Sequence, residues 1–147
     1  MSTTLANKRI LVLFEPGRAG TAAIDLAHQL AGSDQPTVTV VSVVPQATTG
    51  SRCGGSALEY NGMLRDTVAR ELEQARERLD QMGRATVSEL LVEGTDPPLE
   101  AWSAAAGFDL ILLPARRRPL RAPGHPAAEA LRRTGAEVQI VDPRARG

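Results

Sequence analysis

The sequence predicts one α/β domain built on a five-stranded parallel sheet with helices on both faces. Three observations carry this reading. Short apolar runs of strand length alternate along the chain with segments of helical periodicity, a pattern that requires crossover connections and a parallel sheet. The runs are dense in Val, Ile and Leu with little polar alternation, as in strands buried on both faces. Only four aromatic residues stand among the 42% that are hydrophobic, so the core is aliphatic.

The elements follow in order. Lys8–Phe14 is the first strand, bounded by Pro16 and Gly17. A helix spans about Ala19–Ala31, with Ala23, Leu26, Ala27 and Leu30 on one stripe and Gly32 past its end. Thr37–Val44 is the second strand, dense in β-branched residues and stopped by Pro45. After a loop over Gln46–Gly55, Ser56 and Glu59 have the spacing of a capping box. The long helix that follows carries Leu64, Val68, Leu72, Ala75, Leu79 and Met82 at spacings of three or four and ends at Gly83. Ala85–Val92 is the third strand. Asp96 and Pro97 read as the cap and first residue of a helix running to about Ala106. Asp109–Leu113 is the fourth strand, Pro114–Pro123 a basic loop, and Gly124-His125-Pro126 the opening of the last helix. Glu137–Asp142 is the fifth strand. No repeat or linker divides residues 1–147, so one domain is expected.

Charge and composition narrow the function classes. The net charge is zero, yet residues 1–115 hold 9 basic and 14 acidic groups, whereas residues 116–147 hold 8 arginines and 3 acids. Arg116, Arg117, Arg118 and Arg121 are the densest cluster. Such a cluster suits a polyanion, with a solvated surface turn as the plainer reading; nucleic acid is not the expected partner. No apolar run nears the roughly 20 residues that cross a bilayer, and no leader sequence is visible, so a cytoplasmic protein is expected. The lone Cys53 excludes an internal disulfide. Between Arg52 and two glycines it suits a redox-sensitive thiol, with an incidental loop cysteine as the plainer reading.

Several stretches together resemble the universal stress protein family: ILVLFEPG at Ile10–Gly17, VTVVSVVP at Val38–Pro45, VEGTDPPLEAW at Val92–Trp102, DLILLPARRR at Asp109–Arg118, and the tail from Gly124 to Asp142. The resemblance implies strand order 3-2-1-4-5, an adenine nucleotide alpha hydrolase-like fold, and a homodimer paired through Glu137–Asp142. It also implies a nucleotide cleft at the carboxyl ends of the strands, where Glu15–Gly17, Pro45–Gly55, Glu93–Asp96 and Pro114–His125 collect.

In nucleotide-binding members of that family an Asp after the first strand contacts the nucleoside; Glu15 takes its slot here. Their phosphate loop has the form Gly-x-x-Gly, nine residues, then Gly-Ser/Thr. Here Pro114 and Arg117 replace the first two glycines, six residues rather than nine precede Gly124, and His125 replaces the hydroxyl residue. Pro114 and Pro126 also lack the N–H groups that would cradle phosphate. The candidate nucleotide-contacting residues are therefore Glu15, Val43, Arg116, Arg117, Gly124 and His125, in a weakened or lost ATP site. Arginine forks can replace backbone amides as phosphate donors, and Gly54-Gly55-Ser56 offers a second helix start on the same edge. No resident cofactor is expected, with ATP or another adenine nucleotide as the alternative.

His125 suits a general base or phosphate ligand, and a partly exposed capping residue is the plainer reading. His28 receives no role, and Trp102 is expected to pack. Glu15 and Asp96 could share a metal, but two loop carboxylates are a thin basis, and no metal site is assigned. With no catalytic set visible, the expected function is a non-enzymatic stress-response or regulatory protein that binds a protein partner or a small anionic ligand. The alternative is an enzyme of the adenine nucleotide hydrolase-like folds using Glu15, Asp96 and His125 on a nucleotide or related metabolite.

Overall fold

A computed structural model describes residues 9–32, 37–46, 56–118 and 121–143. In order along the chain are β1 (Ile10–Leu13), α1 (Arg18–Ala31), β2 (Val38–Val44), α2 (Ser56–Gln81), β3 (Thr86–Val92), α3 (Leu99–Ala106), β4 (Leu110–Pro114), β5 (Arg116–Arg118), β6 (Arg121–Gly124), α4 (Ala128–Arg132) and β7 (Glu137–Val141). The main sheet is parallel and has five strands in the order β3-β2-β1-β4-β7. This is the expected 3-2-1-4-5 arrangement.

Burial explains why the central strands read as continuous apolar runs. Every residue of β1 and β4 is buried, whereas the edge strands β3 and β7 alternate along most of their length. Alternate residues face two cores. Ile10, Val12, Val38, Val40 and Leu112 pack with Ile24 of α1 and Leu79 of α2. Leu11, Leu13, Val41, Ile111 and Leu113 pack with Phe108 and with Leu131 of α4. Trp102 joins this second core, its ring tilted against Phe108 at 5.6 Å.

The stripe read on α2 points inward unevenly. Leu72, Ala75 and Leu79 are buried, whereas Leu64, Val68 and Met82 are half-buried; outside the stripe, Tyr60 and Met63 are 57% and 70% exposed. Gly107 ends α3 in the left-handed conformation, and its N–H donates to the Ser103 carbonyl at 3.0 Å. An L side chain rarely adopts that backbone, hence the glycine.

Three local expectations are corrected. First, α3 begins at Leu99, after Pro98, and Asp96 does not cap it; its Oδ2 instead accepts the Val92 N–H at 2.7 Å, closing the turn after β3. Second, the basic segment is more than a loop: β5 and β6 pair antiparallel, Arg116 opposite Gly124 and Arg118 opposite Arg121. Third, the last helix is only five residues and starts at Ala128, since residues 126–127 form a turn. Cys53 and Gly54-Gly55, considered above as a thiol and an anion site, lie outside the described residues, as does the Ser56 side chain.

Candidate functional site

The order of the strands reverses between β1 and β4, because the chain runs from β1 outward to β2 and β3 and then returns to lay β4 on the other side. At such a point the segments leaving the two strands diverge and open a crevice beyond their carboxyl ends. Here the crevice has a volume of about 820 Å³, within the range of small-ligand sites. Its apolar lining includes Leu13, Val43, Leu91 and Leu99.

Glu15 stands two residues beyond β1. Its approach is held by the Phe14 N–H donating to the Val41 carbonyl at 2.8 Å and by Ser42 Oγ donating to the Phe14 carbonyl at 3.1 Å. Behind it, Gly20 of α1 lies so close that an added Cβ would fall 1.7 Å from the Glu15 carbonyl oxygen. Real Cβ contacts do not approach that distance, so only glycine lets α1 sit against this turn. Arg116 opens β5, and the Ala115 N–H before it donates to the Val141 carbonyl at 2.9 Å.

These strand ends bring three candidate residues into one cluster. Arg116 Nε donates to Glu15 Oε1 at 3.0 Å and its Nη2 donates to Oε2. His125 Nε2 meets the same Oε2 at 2.9 Å. On its other side, His125 Nδ1 accepts the Ala127 N–H at 3.1 Å. An acceptor nitrogen carries no proton, so the ring proton sits on Nε2 and is donated to Glu15. Burial pushes the Glu15 carboxyl up, but the hydrogen bonds from His125 and Arg116, with the guanidinium charge, outweigh it and lower its pKa from 4.5 to about 2.

Val43 lines the same cleft. Gly124 stands opposite Arg116 in the β5–β6 pair, yet a Cβ there would meet nothing within 4 Å, so no close approach demands a glycine. The side chains of Arg117, Arg118 and Arg121 lie outside the described residues. His125 caps the turn before α4 as expected, but it is buried rather than partly exposed, because its ring is held between the Glu15 carboxylate and the Ala127 amide. Arg116 is half exposed, and its guanidinium is paired rather than merely solvated. His28, given no role, has Arg84 Nη2 at 3.3 Å from its Nδ1.

The sequence reading missed the direct pairing of Glu15 with Arg116 and His125, 101 and 110 residues away. It also missed Glu100, which joins Glu93 and Asp96 along the cleft. Among the described lining residues Arg116 is the one arginine or lysine, in a lining that also holds the carboxylates of Glu15, Glu93, Asp96 and Glu100. Asp96 and Glu15 both line the cleft, each held by hydrogen bonds of its own, and no group of three or more metal-ligating side chains occurs among the described residues.

The profile of the universal stress protein family matches residues 6–142. The chain belongs to the universal stress protein family. A universal stress protein family member from Burkholderia pseudomallei superposes with a TM-score of 0.68 at 23% identity, covering 92% of this chain and 96% of the other. UspA from Lactobacillus plantarum gives 0.70 at 19% identity, covering 91% and 97%. A universal stress protein family protein from Arabidopsis thaliana with AMP bound gives 0.59 at 9% identity, covering 92% and 91%. None of the curated proteins matches significantly in sequence. As a universal stress protein, the chain has a nucleotide-binding type of fold, and no described helix is long and apolar enough to cross a membrane.

Proposed function

We propose that this universal stress protein is a single-domain, non-enzymatic stress-response or regulatory protein whose ATP site is weakened or lost. It acts by binding a protein partner or a small anionic ligand, as a homodimer joined through the β7 edge. The observation that supports this is the closed cluster of Glu15, Arg116 and His125. In a nucleotide site an acid would face the nucleoside and cations would face phosphate; here the acid and the cation face each other. The AMP bound in the Arabidopsis relative keeps an adenine nucleotide as the reference ligand.

The enzyme reading has less support, because both ring nitrogens of His125 are engaged and none is free to take a proton from a substrate. Titration calorimetry of the unmodified chain with ATP and with AMP tests the proposal. ATP is expected to bind more weakly than about 1 mM, corresponding to less than about 4 kcal/mol. Micromolar ATP affinity, or an adenine nucleotide released on denaturing the purified protein, would overturn it.

A further inference from the structure

The Glu15 carboxylate makes the contacts that a bound oxyanion would make. Its two oxygens face the Arg116 Nε and Nη2 fork, the arrangement in which guanidinium groups hold carboxylates and phosphates. His125 Nε2 supplies a third donor at 2.9 Å. That donor is built in: the His125 side chain is 3% exposed, and the Ala127 amide on Nδ1 fixes which nitrogen bears the proton. Without the carboxylate, a buried N–H would lack an acceptor and a guanidinium would lack its counter-charge, both on the same 820 Å³ cleft. The donors come from the segment after β4, whereas the acceptor comes from the turn after β1, so the two sides of the contact belong to separate segments of the chain. The Glu15 side chain is 25% exposed, and solvent therefore reaches the cluster.

We propose that Arg116 and His125 form a seat for a small oxyanion, a carboxylate or a phosphoryl group, and that Glu15 is its built-in occupant. Any anion entering the cleft competes with Glu15 for the same donors. The chain thus holds its ligand site shut with a side chain that imitates the ligand. This deepens the reading of the cleft as a ligand site and rests on it.

The full chain and its Glu15→Ala variant are titrated with sodium formate and, separately, with inorganic phosphate at constant ionic strength. Melting temperature and the ring nitrogen shifts of His125 are followed together. Glu15→Ala is expected to bind at least one of the two anions about tenfold more tightly than the unmodified chain, and to recover melting temperature as that anion is added. A response led by formate assigns the seat to carboxylates, and one led by phosphate assigns it to phosphoryl groups. Adding Arg116→Ala to Glu15→Ala should abolish the response. Equal affinity in the unmodified and Glu15→Ala chains overturns the proposal, and so does a response that survives the loss of Arg116. Should Glu15→Ala not fold, Glu15→Gln keeps the size and removes the charge. Anion binding by that variant no tighter than by the unmodified chain is then the overturning result. Tight ATP binding by the unmodified chain would defeat the functional proposal while leaving this comparison intact.

Discussion

The Arg84 guanidinium lies across the carbonyl end of α1, its Nη2 donating to the Gly32 carbonyl oxygen at 2.8 Å. The same nitrogen also donates to the His28 carbonyl at 3.1 Å, and Arg84 is 6% exposed. The last carbonyls of a helix carry partial negative charge and lack intrahelical donors, so a buried cation there satisfies both needs. Replacing Arg84 with Met is expected to lower stability by about 1.5–3 kcal/mol, the range for hydrogen bonds to charged groups. Urea denaturation measures this, and an unchanged midpoint would show that the guanidinium contributes nothing net.

Glu15 gives the fold a defined response to acid. Burial opposes its ionisation, but the His125 and Arg116 hydrogen bonds win and depress its pKa to about 2 from 4.5. A carboxyl whose folded value lies below its unfolded value stabilises the fold fully above the unfolded value. That contribution fades as pH falls from about 4.5 towards 2 and is absent below. Glu15→Gln should therefore be less stable than the unmodified chain near neutral pH, with the two converging through that window. A difference that stays constant from neutral to strongly acidic pH would contradict the assignment.

Gly20→Ala should damage the site through the backbone. The new Cβ would fall 1.7 Å from the Glu15 carbonyl oxygen, so α1 or the turn after β1 must move. Overpacking of this kind costs about 1–3 kcal/mol, and the displaced turn should loosen the Glu15–Arg116 pair as well. Denaturation and the His125 ring shifts report the two effects separately; a variant with both unchanged would mean that the turn yields freely.

Assembly should follow from the β7 edge. β7 pairs with β4 on one side, and among the described residues no strand pairs with Glu137–Val141 on the other. Exposed strand edges invite pairing, and a second copy about a two-fold axis would cover them. Light scattering at tens of micromolar should give twice the 15.6 kDa chain mass. A monomer at that concentration would count against the homodimer.

How much of this the sequence disclosed depended on the range of the interactions. β1, β2 and β4 announced themselves because burial on both faces leaves no polar alternation to confuse, while the edge strand β3 was recognised from its place in the alternating order. Phe14 falls just past the first strand, Ile10–Leu13, although its N–H still bonds to the Val41 carbonyl of the neighbouring strand. Asp96-Pro97 misled because an acid before a proline has the look of a helix start. The carboxylate had a nearer donor in the Val92 amide. Glu15, Val43, Arg116 and His125 were all chosen as site residues and all line the cleft. What stayed hidden was that Glu15 and Arg116 satisfy each other. Residue types announce what a side chain can bond, and only the register of β1 against β4 decides which partner it meets.

The uneven burial of α2 has a consequence for the time course of local opening. At 1.5 Å per residue its 26 residues extend about 39 Å, whereas the seven residues of β2 extend only about 23 Å. The helix therefore outruns the sheet it covers. Near its start Tyr60 and Met63 face solvent and Leu64 is only half-buried, while Leu72, Ala75 and Leu79 tie down the second half. Amide deuterium uptake should accordingly reach residues 60–65 while those beside Leu72–Leu79 remain protected until the whole domain unfolds. Asn61 and Arg65 border a small recess that shares Val92 and Asp96 with the main cleft. The exposed end of the longest helix thus borders a recess that adjoins the site, and its uptake rate offers a label-free clock for anything that enters that recess.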